Sequence, residues 1–196
     1  MKPAEKRVLD GIQAELSRVI RYDDESIVNG KWIRQRYDCG CIPGLAAARR
    51  AVVKTAWHEA GHAAAALAVG ASFTSASIHH GRDNDGRVHG IMPVTELAFV
   101  IHAAGQIAER LMNWTMLERD DDLRAWLPAW HSDGGDARHF RQALRGRPHT
   151  DEFRAWRYSE EMLTPMRLKI RQVARALLVH HRHLPYNVVA AIAGCG

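Results

Sequence analysis

The residues best placed to do chemistry are His58-Glu59-Ala60-Gly61-His62. On a helix, residues four apart lie one above the other, so both imidazoles project from one face and can hold a single zinc ion. A catalytic zinc takes three protein ligands and keeps its fourth position for water. Glu59, beside the two histidines, can reach that water and take its proton, and an activated water next to a carboxylate base is an apparatus for hydrolysis. In a chain with twelve histidines among 196 residues, chance places the pattern HExxH about 0.04 times. The surroundings lower this further. The helix around the motif is mostly alanine, valine and leucine, and burying two histidines and a glutamate without partners costs several kcal/mol, whereas a metal satisfies all three.

These groups need a scaffold. Ala46 to Val69 contains no proline and is rich in alanine, which predicts a long helix ending at Gly70. Phe73 to His80 alternates as a strand, Gly81 to Gly86 reads as a turn, and Arg87 to Met92 follows as the partner strand. Thr95 is a helix cap ahead of an apolar stripe formed by Leu97, Val100, Ile101, Ala104, Ala108, Leu111 and Met112. A polar loop with tryptophans is expected from Trp114 to Gly134, then a short helix from Asp136 to Leu144. Ile170, Val173, Ala174, Leu177 and Leu178 share one face of a further helix, and a last short one follows Pro185. Ahead of all this, Lys6 to Arg21 reads as an amphipathic helix and Lys31 to Gly44 as an irregular connector. The expected fold class is α+β, mainly helical, with a small β-hairpin or sheet beside the HExxH helix. Residues 1–50 form an N-terminal helical extension and connector, and residues 51–196 the core of one compact domain.

Composition narrows the class. With 46% apolar and 25% charged residues the chain can bury a core. Its longest uncharged apolar run, the eleven residues Ala63 to Phe73, falls short of the roughly 20 of a membrane helix. The opening MKPAEKRVLDG lacks the apolar stretch of a signal peptide. Three cysteines do not make a disulfide scaffold, so a soluble, cytoplasmic protein is expected. The net charge of +5 is mild. The arginines of Arg138 to Arg147 and Arg167 to Arg182 come without a recognition motif, so a nucleic-acid partner is not expected.

The neighbourhood of the motif resembles a known family. HEAGHAAAA, from His58 to Ala66, resembles the active-site helix of the FtsH family of zinc metalloproteases. SASIHHGRDNDGRVHG resembles that family's strand, glycine turn and second strand. AAGQIAERLM, from Ala103 to Met112, resembles its GGRAAE-type helix, and GGDARHFRQA, from Gly134 to Ala143, the helix that supplies the third zinc ligand. The likeness spans about half the chain, Ala51 to Leu144. It implies a zincin-like fold and a zinc-dependent peptidase acting on a peptide or protein substrate, with His58, His62 and Asp136 as zinc ligands and Glu59 as the catalytic base. It departs from the family's pattern at Ala104, Gln106 and Gly135, and Asp133 and Glu109 stay open as third ligands; Glu109 otherwise orients a ligating imidazole or pairs with an arginine. The chain has no GxxxxGK[ST] phosphate loop, so a free-standing peptidase domain is expected, as a homo-oligomer or with a separate ATPase partner. The alternative is a non-catalytic, zinc-containing regulatory or binding module.

Other groups carry weaker signals. His79, His80 and His89 flank the hairpin turn and could touch substrate, although loop histidines are commonly just exposed. Cys39 and Cys41 lack a further close ligand pair, and His180, His181 and His183 are read as helix-ending cations. Trp114, Trp126 and Trp130 either line a groove, cover the zinc cleft or pin their loop to the core. The strand after the turn, if it lies at an edge beside the HExxH helix, would align an extended peptide.

Overall fold

Alanine's high helix propensity and small volume set the centre of the molecule. Helix α1 (Leu45–Ala68) presents Ala56, Ala60, Ala63, Ala64, Ala65 and Ala66, none of them exposed to solvent. It stops where expected. Gly70 has a φ of +74°, its N–H donates to Leu67 O at 3.1 Å, and Ala71 N–H donates to Ala66 O at 2.8 Å. That pairing satisfies two of the helix's last carbonyls and requires a left-handed residue, which glycine supplies without strain. The expected division at residue 50 falls inside this continuous helix. The computed structural model describes residues 45–78, 86–92, 96–113, 120–131, 135–145, 151–179 and 183–194. The expected first helix and connector, Cys39, Cys41, His79, His80, Thr95, Trp114, Asp133, His180 and His181 lie outside them.

The chain turns from α1 into β1 (Ser75–Ile78), which pairs antiparallel with β2 (Gly86–His89), Ile78 opposite Gly86 and Ser75 opposite His89. Strand β1 begins two residues later than the alternation suggested, and β2 ends at His89, short of the expected Met92. An isolated bridge between Ser72 and Met92 continues the contact beyond Gly90, whose φ of +64° interrupts the ladder. Helix α2 (Ala98–Asn113) follows and buries Val100, Ala103, Ala104, Ile107, Ala108 and Leu111.

Residues 120–130, expected in a loop, instead form helix α3 (Asp120–Trp130). Its three opening aspartates face the positive end of the helix dipole. Pro128 lies within the helix near its end. Helix α4 (Gly135–Leu144) buries Ala137, Phe140 and Leu144. Helix α5 (Glu152–Leu163) was not foreseen, although its start is encoded locally: Asp151 is its N-cap and accepts from Arg154 N–H at 2.7 Å.

After a 3₁₀ turn at Thr164–Met166, helix α6 (Arg167–Val179) packs on α1. Arg167 Nε donates to Leu111 O at 2.8 Å, a cation on a carbonyl near the end of α2. Strand β3 (His183–Pro185) and helix α7 (Tyr186–Ile192) follow. His183 therefore does not end a helix; it pairs with Ser77 in the sheet. The strand order is β2-β1-β3, with β1 buried in the middle and antiparallel to both neighbours. The architecture is mainly helical α+β with a small three-stranded antiparallel sheet. Among the described residues no helix is long and apolar enough to cross a membrane.

Candidate metal centre

Three helices and the sheet meet around the motif. A Cβ on Gly61 would come within 2.5 Å of Ala104 O and 2.6 Å of Ala108 Cβ, so α1 and α2 approach as closely as they do only because that position is glycine and its neighbours are alanine. The close approach brings α2 backbone and carboxylate groups to both histidines. Along the seam, Ile101 of α2 meets His62, Gly105 lies against the His58 ring, and Glu109 reaches both His58 and Lys54.

Helix α4 supplies the third group. Trp130 is nearly buried in a cluster with Phe140 (ring centres 5.3 Å apart) and Trp156 (4.9 Å), and Trp126 lies 4.9 Å from Trp156. Trp126 and Trp130 thus hold the packing between α3, α4 and α5, and do so from a helix instead of a loop. Phe140, one turn beyond Asp136, ties the start of α4 to this cluster and, through Phe99 at 6.4 Å, to α2.

His58 Nε2, His62 Nε2 and Asp136 Oδ2 converge. The separations are 2.9 Å for His58 to Asp136, 3.2 Å for His62 to Asp136 and 3.0 Å between the two imidazole nitrogens. The other nitrogens settle the tautomers. His58 Nδ1 donates to Glu109 Oε1 at 2.9 Å and His62 Nδ1 donates to Ile101 O at 2.7 Å, both acceptors without a proton to give. With both Nδ1 atoms protonated, each neutral ring turns an Nε2 lone pair inward, toward its neighbour and toward a carboxylate oxygen. Three lone pairs this close repel one another unless a cation lies among them. Tetrahedral zinc with ligands at about 2.0–2.1 Å spaces them about 3.3 Å apart, close to the separations seen. These three residues form a group that could hold a metal ion.

The electrostatics tell the same story from the proton's side. Burial opposes charge on His58, but hydrogen bonds to Asp136 and Glu109 outweigh it and push the ring up to about 10. Burial likewise opposes charge on His62, and the Asp136 carboxylate overrides it upward. Asp136, although desolvated, is held well below the usual carboxylate range by His62 and His58. Each shift favours positive charge at the centre of the group, supplied by protons when no metal is bound.

Glu59 is 5% exposed, and burial pushes its carboxyl up, against the pull of His62 and His58. Its side chain lies over the backbone of β2, where a Cβ on Gly86 would sit 2.6 Å from Oε1 and 2.8 Å from Cδ. No hydrogen bond to this carboxylate forms among the described residues. Glu109 is the partner of His58 Nδ1, not part of the converging trio, and its second oxygen meets Lys54 Nζ at 3.0 Å. A carboxylate behind a ligating imidazole fixes its tautomer and orientation. His89 is engaged with Ser77 Oγ at 2.9 Å.

Three features escaped the sequence reading. Gly105 and Gly86 make room for His58 and Glu59, and the signal for the first was a glycine inside an otherwise good helix. His102 of α2 and His139 of α4 form an edge-to-face pair with ring centres 5.2 Å apart. Burial, with His62 and His139 nearby, lowers the His102 ring to about 4. No family model matches the chain, and neither a curated protein nor a solved structure matches it.

Proposed function

We propose that the chain is a zinc-dependent metallopeptidase with a zincin-like arrangement similar to the peptidase module of the FtsH family. His58, His62 and Asp136 would hold the metal, which when bound lowers the pKa of a water toward neutrality and polarises a carbonyl. The observation that carries the reading is Glu59: a buried carboxylate next to the trio, outside it, and free of hydrogen bonds among the described residues. Its raised pKa suits a group that takes a proton and returns it to a leaving amine. Glu109 and the Ile101 carbonyl hold the two imidazoles in the tautomer that presents Nε2.

Strand β2 supports a peptide substrate. It pairs on one side with β1, and its other side has no strand partner among the described residues. Gly86, at its start, touches Glu59. A peptide added along that edge would run past the base in extended form, held by backbone hydrogen bonds. Folded substrates would need prior unfolding, by a separate ATPase or otherwise.

The other reading, a non-catalytic zinc-containing regulatory or binding module, fits less well. Structural zinc sites are closed by four protein ligands, whereas three converge here among the described residues. Glu59→Gln decides between them. The variant is expected to keep its zinc and to cleave a dye-labelled unfolded protein at least ~10²-fold more slowly than the zinc-loaded wild type. Equal cleavage by both proteins, or none by the zinc-loaded wild type, would overturn the proposal.

A further inference from the structure

We infer that His102 and His139 form a second, separate site for a divalent transition-metal ion on the rim of the first. The two side chains come from different helices, α2 and α4, whose spacing is fixed beside them by Phe99 against Phe140. His102 is half-buried and His139 exposed, so the pair opens to solvent. Neither ring has a hydrogen-bond partner among the described residues, in contrast to His58 and His62, both of whose nitrogens have one, and to His89, whose Nε2 meets Ser77 Oγ.

Their spacing suits a shared ion. An imidazole ring centre lies about 1.1 Å behind its ligating nitrogen, so with a bond of about 2.0–2.1 Å the ion stands about 3.2 Å from each centre; at a tetrahedral angle the two centres are then about 5.2 Å apart. The His102 and His139 centres are 5.2 Å apart with their planes at 64°. The His58 and His62 pair shows the same edge-to-face relation, at 4.7 Å and 75°. Asp136 lies one turn before His139 on α4, and its contacts with His58 and His62 use Oδ2 alone. With two imidazole ligands and water completing the shell, the ligand class is the divalent ions that imidazole suits: zinc, nickel or copper. This site does not depend on what the first one does.

The test is a metal count. Full-length zinc-loaded protein is dialysed against rising concentrations of zinc chloride, and bound zinc is measured by mass spectrometry for wild type, His139→Ala and His102→Ala. Wild type is expected to take up one more equivalent than either variant, with the first, tighter equivalent unchanged. His139 is exposed, so His139→Ala should fold even if His102→Ala does not, and His139→Asp, which keeps a ligand, should recover part of the weaker equivalent. Equal zinc uptake by wild type and His139→Ala over the whole range would overturn the inference and leave the pair as an edge-to-face ring contact. Loss of the tight equivalent would instead be read from Asp136→Ala, so the two sites fail separately.

Discussion

Gly105→Ala tests the metal centre through the helix that supports it. Inside a helix, alanine is ordinarily better than glycine by about 0.8–1.0 kcal/mol, which in a protein of this size raises Tm by roughly 2–4 °C. At Gly105 the expected outcome is the reverse. The added methyl would stand 2.7 Å from His58 Cδ2 and closer still to Cε1 and Nε2, where ordinary contacts begin near 3.4 Å. The ring has to retreat by about 0.7 Å or more, a displacement of the overpacking kind that costs about 1–3 kcal/mol. It cannot retreat freely, because Nδ1 is held by Glu109 and Nε2 faces Asp136, each at 2.9 Å. The penalty therefore exceeds the gain in helix propensity. Zinc affinity should fall by at least the 10–100-fold, roughly, that follows loss of a ligand's supporting partner. Thermal unfolding in a chelator and competition against a chromophoric zinc indicator measure the two effects separately. A variant that melts 2–4 °C above wild type with unchanged zinc affinity would show that Gly105 and His58 are not in contact, and would remove the seam between α1 and α2 as the frame of the site.

Gly86→Ala pushes on Glu59 in the same way and leaves His58, His62 and Asp136 alone, so on the proposed function zinc content should hold while peptide cleavage falls on the order of 10²-fold; a variant with wild-type turnover contradicts the proposed role of Glu59 over β2. Glu109→Ala removes the acceptor for His58 Nδ1 and should weaken zinc about 10–100-fold in a competition titration, with Glu109→Gln intermediate. In metal-free protein, His58 titrates at about 10 against an ordinary 6.5. Its stabilising contribution is thus complete below 6.5 and disappears as pH rises through about 10, whereas that of Asp136, lowered in the fold, is lost only on the acid side of 3.8. Urea midpoints taken in chelator from pH 6 to pH 10 should therefore decline, and the zinc-loaded protein, whose rings are held by metal instead of protons, should decline less. Identical pH profiles with and without zinc would contradict this account.

The parts of the site that were legible in the sequence are the local ones. His58, Glu59 and His62 lie within two turns of one alanine-rich helix, so the 3.6-residue period alone puts the two rings together. Asp136 is different: its place depends on Phe140, Trp130 and Trp156 packing α4 against α3 and α5. Residues 78 and 74 positions away from His58 and His62 carry no local trace of that contact, and it was the family resemblance that suggested it. Local signals also misled where tertiary packing overrode them. The polar residues and the acidic run made α3 look like a loop, but Leu123, Leu127 and Trp130 are buried from one face of a helix, and that burial offsets the hydrogen bond lost at Pro128 near its end. Strand β3 is three residues long and contains a proline, so no alternation could announce it; it exists because β1 offers a second edge.

Small residues are what the candidate metal centre most depends on. Two imidazoles four apart occur on many helices without binding anything. Here their outer nitrogens are already committed to Glu109 and to the Ile101 carbonyl, and that requires α2 to lie closer to α1 than side chains with a Cγ would allow. Gly61 against Ala104 and Ala108 sets that distance, and Gly105 leaves the space that the His58 ring fills. Once the outer nitrogens are spoken for, the inner ones of the neutral rings present lone pairs, and Asp136 adds a third from α4, so the group draws in a proton or a metal cation. The helix seam thus turns a histidine spacing into a group that could hold a cation. Breaking the seam at Gly61, where the obstacle is the Ala104 backbone carbonyl instead of a movable ring, should disturb both histidines together, whereas Gly105→Ala disturbs His58 first.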